Sequence, residues 1–168
     1  MWYVIQVRTG TEETIRKQCE RLVDHYALER CFIPYFEEMK RYKGKWHKEN
    51  KILFPGYVFA VSENAEALFI ELKKVVGLTK ILGMENTMIA LTEEEINLLL
   101  NFGKEEQIVT VSQGIIIDDC VKVLSGPLVG REGLITRIDR HRRKACLALP
   151  MFGRIQNIEI GLEILEKR

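Results

Sequence analysis

A chain of 168 residues, 46% hydrophobic and 29% charged with a net charge of +1, suits one domain or two small ones. Its balance excludes long disordered tracts and argues against a uniformly basic nucleic-acid binder, and no apolar run approaches the roughly 18 residues of a membrane helix. Met1-Trp2-Tyr3-Val4-Ile5 turns polar at Gln6 and Arg8, unlike a signal peptide, and Cys19, Cys31, Cys120 and Cys146 form no CxxC pair. A cytoplasmic protein with reduced, mostly structural cysteines is therefore expected, and secretion, membrane spanning and a disulfide scaffold are set aside.

Residues 2–7 read as an opening strand, apolar almost without a break and so buried on both faces. Thr9 and Glu12 have capping-box spacing, and Ile15, Cys19, Leu22, Val23 and Tyr26 then recur on one helical face. Cys31-Phe32-Ile33-Pro34 is extended, because Pro34 forbids helix. A polar hairpin is predicted around Lys43-Gly44-Lys45, and Tyr57–Val61 forms another strand. Residues 64–74 are helical with Leu68, Phe69 and Leu72 on one side, and Thr92–Glu95 caps a helix carrying Ile96, Leu99 and Leu100. These elements make an α/β layer, a small sheet with packed helices.

After Phe102 the pattern changes. Gly103–Gln107 is polar, and from Ile115 onward short strands are punctuated by Gly126-Pro127, Gly130, Gly133 and Gly153, an all-β module. The expected division is 1–102, a linker at 103–113, and 114–168, with Ile108–Val111 open as an edge strand of either neighbour. Charge divides the same way: residues 114–168 carry +3 and the remainder −2.

Two stretches carry a resemblance. The run from Asp119 through Ser125-Gly126-Pro127-Leu128-Val129-Gly130-Arg131-Glu132-Gly133 to Ile135 resembles a KOW motif, followed by Met151-Phe152-Gly153-Arg154. Trp2-Tyr3-Val4, Phe54-Pro55-Gly56-Tyr57-Val58 and Gly77-Leu78-Thr79 resemble, in order and spacing, the amino-terminal signatures of NusG transcription elongation factors. The resemblance implies a NusG-type amino-terminal domain followed by an SH3-like β-barrel. It also implies that the first domain docks on the β′ clamp helices of RNA polymerase. Phe54 and Tyr57 would lie on that docking surface as exposed rings, with Pro55 and Gly56 shaping the turn; the competing reading makes them core aromatics. Trp2, Val4 and Val58 read as core.

The departures from the family pattern are informative. Lys73-Lys74-Val75-Val76-Gly77 replaces the polar-then-Pro sequence that touches the non-template strand, leaving Lys73 and Lys74 as non-specific phosphate contacts. Leu128 and Arg131 stand where the family has aromatics that help bind ribosomal protein S10 and Rho, which argues against that partnership. Instead, Arg137, Arg140, His141, Arg142, Arg143 and Lys144 gather at a predicted hairpin, flanked by Ile135, Ile138, Ala145 and Leu147 facing inward. With Lys122, Arg131 and Arg154 they form the candidate nucleic-acid-binding set, suited to bidentate phosphate contacts on structured RNA. A solvated, solubilising tip is the alternative. Lys43 and Lys45, in the basic hairpin 40–48, would contact upstream or non-template DNA, unless Trp46 simply folds back on the sheet.

This pattern resembles the specialised LoaP antiterminators, which implies recruitment through a hairpin in the nascent RNA and read-through of selected operons. The alternatives are a general adaptor whose KOW module binds S10 or Rho, and a ribosomal KOW protein. Cys19 and His25 lie on different helical faces, and Glu37-Glu38 and Glu93–Glu95 suit surface positions. No enzyme, cofactor or metal is expected, and the chain is expected to act as a monomer away from membranes.

Overall fold

In chain order the elements are β1 (Trp2–Gln6), α1 (Glu12–Leu22), β2 (Arg30–Phe32), β3 (Tyr35–Tyr42), β4 (Lys45–Ile52), β5 (Tyr57–Val61), α2 (Ala65–Leu72), β6 (Met88–Ala90), α3 (Glu93–Gly103), β7 (Ile108–Val109), β8 (Ser112–Ile117), β9 (Cys120–Ser125), a 3-10 turn (Glu132–Leu134), β10 (Ile135–Asp139), β11 (Lys144–Met151) and β12 (Arg154–Lys167). The computed structural model describes residues 1–78 and 88–168, so Thr79 of the Gly77–Thr79 signature lies outside the described residues. Packing groups them into two units: Met1–Ile33 with Phe54–Ile96, and Pro34–Leu53 with Asn97–Arg168.

The first unit is built on an antiparallel sheet in the order β2-β5-β1-β6. Its two central strands are covered on both faces, which is why Val4, Ile5, Val58, Phe59 and Ala60 run apolar without alternation. Trp2 meets Phe32 edge-on at 5.2 Å, and Phe32 stacks on Phe59 at 5.4 Å. Ile15 and Cys19 of α1 and Leu68 and Leu72 of α2 are buried at helical spacing. The Cys19 and Cys31 thiols hydrogen-bond; that bond and burial push the Cys31 thiol up.

Two expectations for α1 fail. Tyr26 is 67% exposed, because the helix ends at Leu22 and Val23 turns extended (φ −87°, ψ 130°). Nor does Thr9 cap the helix: Thr11 holds the N-cap position and donates its hydroxyl to the Arg8 carbonyl at 2.6 Å. The buried Glu12 carboxylate accepts the Gly10 N–H at 2.8 Å and the Gly56 N–H at 3.2 Å, tying the helix start to the 54–57 turn. Glu12→Ala leaves both donors without that partner. It is expected to cost about 2–4 kcal/mol in urea denaturation, with Glu12→Gln intermediate because its amide oxygen still accepts.

In the second unit β3 and β4 form a hairpin from Tyr35↔Ile52 to Tyr42↔Lys45. Lys43 (φ 53°) and Gly44 (φ 74°) both take the left-handed conformation, as a two-residue hairpin turn of matching twist requires. β7 pairs parallel with β3 (Tyr35↔Ile108), so the open edge-strand question resolves onto the hairpin. The start of α3 belongs to the first unit, and there the capping box forms as expected: the Glu95 N–H donates to Thr92 Oγ1 at 3.2 Å, and Glu95 accepts the Thr92 N–H at 3.0 Å.

The remaining strands make a five-stranded sheet in the order β10-β11-β12-β8-β9, with only β12–β8 parallel. Inward positions alternate along β11, where Ala145, Leu147 and Leu149 are fully buried. Ile135 and Ile138 are only half-buried; they line a shallow cavity of about 240 Å³ with Ile116 and Val121. Ser112 Oγ, also buried, accepts the Leu128 N–H at 3.1 Å and anchors the Gly126–Gly130 loop.

Candidate nucleic-acid interface

The β10–β11 connection is a tight turn held by its own residues. Asp139 Oδ1 accepts the Arg142 N–H at 3.0 Å, and the Arg140 carbonyl accepts the Arg143 N–H at 3.3 Å. The Arg142 N–H, and then the Arg142, Arg137 and His141 charges, hold the Asp139 carboxyl below the usual carboxylate range. The turn leaves Arg140, His141 and Arg142 exposed together at its tip. Arg143 then takes φ 55°, and it and Lys144 are half-buried.

Those two cations are engaged inside the unit. The Arg143 guanidinium lies 3.9 Å from the centroid of the Trp46 ring and 3.5 Å from Glu163. Lys144 Nζ sits 2.6 Å from Glu38 and 3.1 Å from Glu159. Partial burial works against the Lys144 ammonium, but the hydrogen bonds to Glu38 and Glu159 outweigh it and hold its pKa above the ordinary value. Glu38 is therefore no surface residue: two residues on from buried Phe36, it shares that side chain's face of β3, is itself buried, and also lies 3.9 Å from Lys51. That spacing was the signal for its inward placement.

Of the other members of the predicted set, only Arg137 is close to this turn, on β10 two residues before Asp139. Arg131 is half-buried with its guanidinium 5.2 Å from the centroid of Phe102. Arg137 is exposed and donates to Cys146 Sγ at 3.8 Å. Lys122 on β9 and Arg154 at the start of β12 are exposed. Leu128 is fully buried.

The second basic feature is the tip of the β3–β4 hairpin. Lys40, Arg41, Lys43, Lys45 and Lys48 are exposed there, and Tyr42 stacks on His47 at 3.7 Å. Trp46 is half-buried beneath Arg143 rather than folded against its own strands alone.

In the first unit the 54–57 turn departs from expectation. Phe54 is 1% and Tyr57 5% exposed, so neither ring is the exposed aromatic expected there. Phe54 packs 5.8 Å from Phe59 in the apolar interior, while Pro55 between them is exposed. Gly56 takes φ 89° and is held by Glu12. Lys73 and Lys74 are exposed, but Lys73 lies 5.4 Å from the Phe69 ring centroid and Lys74 lies 2.5 Å from Glu71.

The Lys74 hydrogen bond, and the Asp24 N–H donated at 3.0 Å, hold the Glu71 carboxyl below the usual range. The folded chain thus binds fewer protons there than the unfolded one. The resulting stability is present above the unfolded carboxylate pKa and is lost as pH falls through the depressed folded value. Glu71→Gln is expected to flatten that acid-side loss in thermal midpoints measured across pH, and identical profiles would contradict the assignment.

Among the described residues no three His, Cys, Asp or Glu side chains converge as a metal site, and no helix is long and apolar enough to cross a membrane. A family model described as transcription termination factor nusG matches residues 1–100, and a KOW motif model matches residues 117–149. The transcription termination/antitermination protein NusG of Rickettsia typhi is 27% identical over 171 residues, covering 99% of this chain and 89% of that protein. Its namesake from Staphylococcus carnosus is 25% identical over 174 residues, covering 99% and 94%. Among solved structures, one titled "Domain interaction in Thermotoga maritima NusG" superposes with a TM-score of 0.54 at 22% identity, covering 97% of this chain and 93% of that one, which supports the fold. With the family match spanning more than half of its length, this chain belongs to the NusG family of transcription termination/antitermination factors.

Proposed function

We propose that this chain is a specialised elongation and antitermination factor of the LoaP type. Its amino-terminal domain, residues 1–102, docks on the β′ clamp helices of RNA polymerase. A linker at 103–113 leads to a KOW domain at 114–168, folded as the SH3-like barrel of the family, which contacts structured nascent RNA. The protein works as a cytoplasmic monomer.

The observation that carries this reading is the exposed Arg140-His141-Arg142 tip. Asp139 braces it, and none of the three forms an ion pair among the described residues. A preformed turn presenting two guanidinium groups binds phosphate oxygens with little ordering cost. The burial of Leu128 and the placement of Arg131 over Phe102 count against the S10 and Rho alternative. On the polymerase side, Pro55 and Gly56 present the docking turn, and Phe54 and Tyr57 engage the clamp only if their rings become accessible. Lys73 and Lys74 are the candidate contacts to upstream or non-template DNA, and Lys43 and Lys45 stand at the β3–β4 tip, where the phosphates of either nucleic acid would meet them.

The test titrates the full-length chain with an RNA hairpin, a duplex DNA of matched length and single-stranded RNA, over a range of salt, beside capture of core RNA polymerase. Preference for the hairpin together with polymerase capture is expected. Equal, weak binding to all three nucleic acids would return the tip to a solvated turn.

A further inference from the structure

We infer that the tip of the β3–β4 hairpin and the Arg140–Arg142 turn form one composite face that grips the two backbones of a single RNA stem. This deepens the RNA-binding role proposed above and rests on it. Neither tip is adjacent to the other in sequence; about 95 residues separate them. Contacts within the second unit bring them together. Arg143, next to Arg142, covers Trp46, next to Lys45, at 3.9 Å. Lys144 bonds to Glu38 at 2.6 Å. A Cβ on Gly161 of β12 would stand 2.7 Å from the Glu37 carbonyl oxygen, so β3 lies directly on the sheet at that point.

The charges sort in a way that leaves both tips basic. Arg143 and Lys144, the inner pair, are matched by Glu163, Glu38 and Glu159. Outside them stand Lys40 and Lys45 on the Glu38 face of one hairpin, Arg41 and Lys48 on its Trp46 face, Lys43 in its turn, and Arg140 and Arg142 on the other tip, all exposed and none in an ion pair among the described residues. The one carboxylate inside the arginine turn, Asp139, is occupied by the Arg142 N–H.

Two basic ridges side by side suit a duplex, whose A-form minor groove is wide, shallow and edged by the phosphates of both strands. A single strand would call instead for free aromatic faces on which unpaired bases stack. Here Trp46 gives a ring face to Arg143 and Tyr42 gives one to His47 at 3.7 Å. The duplex reading therefore uses the groups this surface offers.

Three full-length variants with the same charge change decide the matter: Lys45→Glu/Lys48→Glu on the hairpin, Arg140→Glu/Arg142→Glu on the turn, and Lys17→Glu/Arg21→Glu on α1 of the first unit as control. All six residues are exposed. Circular dichroism confirms that each variant is folded. The probe is a stem-loop RNA, with a single-stranded RNA and a DNA duplex of equal length for comparison. The hairpin variant is expected to lose at least about 10-fold in affinity for the stem-loop, with a salt slope shallower by about 2, while the control stays within about 3-fold. Loss in the turn variant with an unchanged hairpin variant overturns the composite face and leaves the proposed RNA-binding function standing. No loss in either overturns both. Equal affinity for single-stranded RNA or DNA duplex overturns the assignment of an RNA stem.

Discussion

Arg140→Glu/Arg142→Glu is expected to weaken stem-loop RNA binding by about 100-fold near physiological salt and to flatten its salt dependence. Each neutralised phosphate releases counterion and contributes about 0.9 to the slope of log affinity against log salt on a duplex. At moderate salt that release is worth several-fold per contact. Reversal removes the contact and adds repulsion, so two positions together reach about two orders of magnitude. Both side chains are exposed and make no internal ion pair among the described residues. Their replacement should therefore move stability by no more than about 0.5 kcal/mol. Lys144→Glu has a different expected outcome, because Lys144 sits between Glu38 and Glu159 and its reversal sets three carboxylates together. A loss of stability in that variant with intact stability in the double variant would separate the binding cations from the structural ones. Fluorescence-detected titration and urea denaturation of the same samples give both readouts.

Gly126→Ala is expected to destabilise the second unit by about 3 kcal/mol or more. Gly126 has φ 97°, and a Cβ there would meet Ser112 Cα and Oγ at 2.6 Å and its Cβ at 2.9 Å. Most of that obstruction is main chain and Cβ rather than the end of a flexible side chain. It can yield only if β8 shifts and the Ser112–Leu128 hydrogen bond at 3.1 Å is distorted. Gly130 in the same loop is the internal comparison. Its φ is 76°, but nothing lies within 4 Å of a Cβ built there. Gly130→Ala therefore carries only the backbone cost of the left-handed conformation, about 1–2 kcal/mol. Against a total stability of about 5–15 kcal/mol the difference between them is measurable in urea midpoints. Equal losses would mean that the loop, not the contact with Ser112, sets the cost.

The Thr92–Glu95 cap and the Lys43-Gly44 turn are local: side-chain reach and twist decide them within four or five residues, and both are legible in the sequence. The constraint on Gly126 is not, because it comes from Ser112 in another strand. The unbroken apolar runs of β1 and β5 were legible for a related reason, since burial on both faces removes alternation. Tyr26 was misread because periodicity extends a helix past the point where Val23 turns extended. The Thr9–Glu12 spacing was misread because the Glu12 carboxylate reaches instead to Gly56, 44 residues away.

The candidate interface divides along the same line. The composition of each basic tip, Lys40–Lys48 and Arg140–Lys144, was determined by sequence alone, as was the +3 excess of residues 114–168. Tertiary structure decided which cations face outward. Lys144 and Glu38, or Arg143 and Trp46, become partners only when β3 packs on β12 at Gly161, and no local pattern encodes a contact across such a separation. Burial likewise turned Phe54 and Tyr57 from expected surface rings into interior ones, because an aromatic pair reads the same in a core as on a docking face. Hydrophobic pattern and turn chemistry determine the elements; long-range packing determines which side of each element meets water.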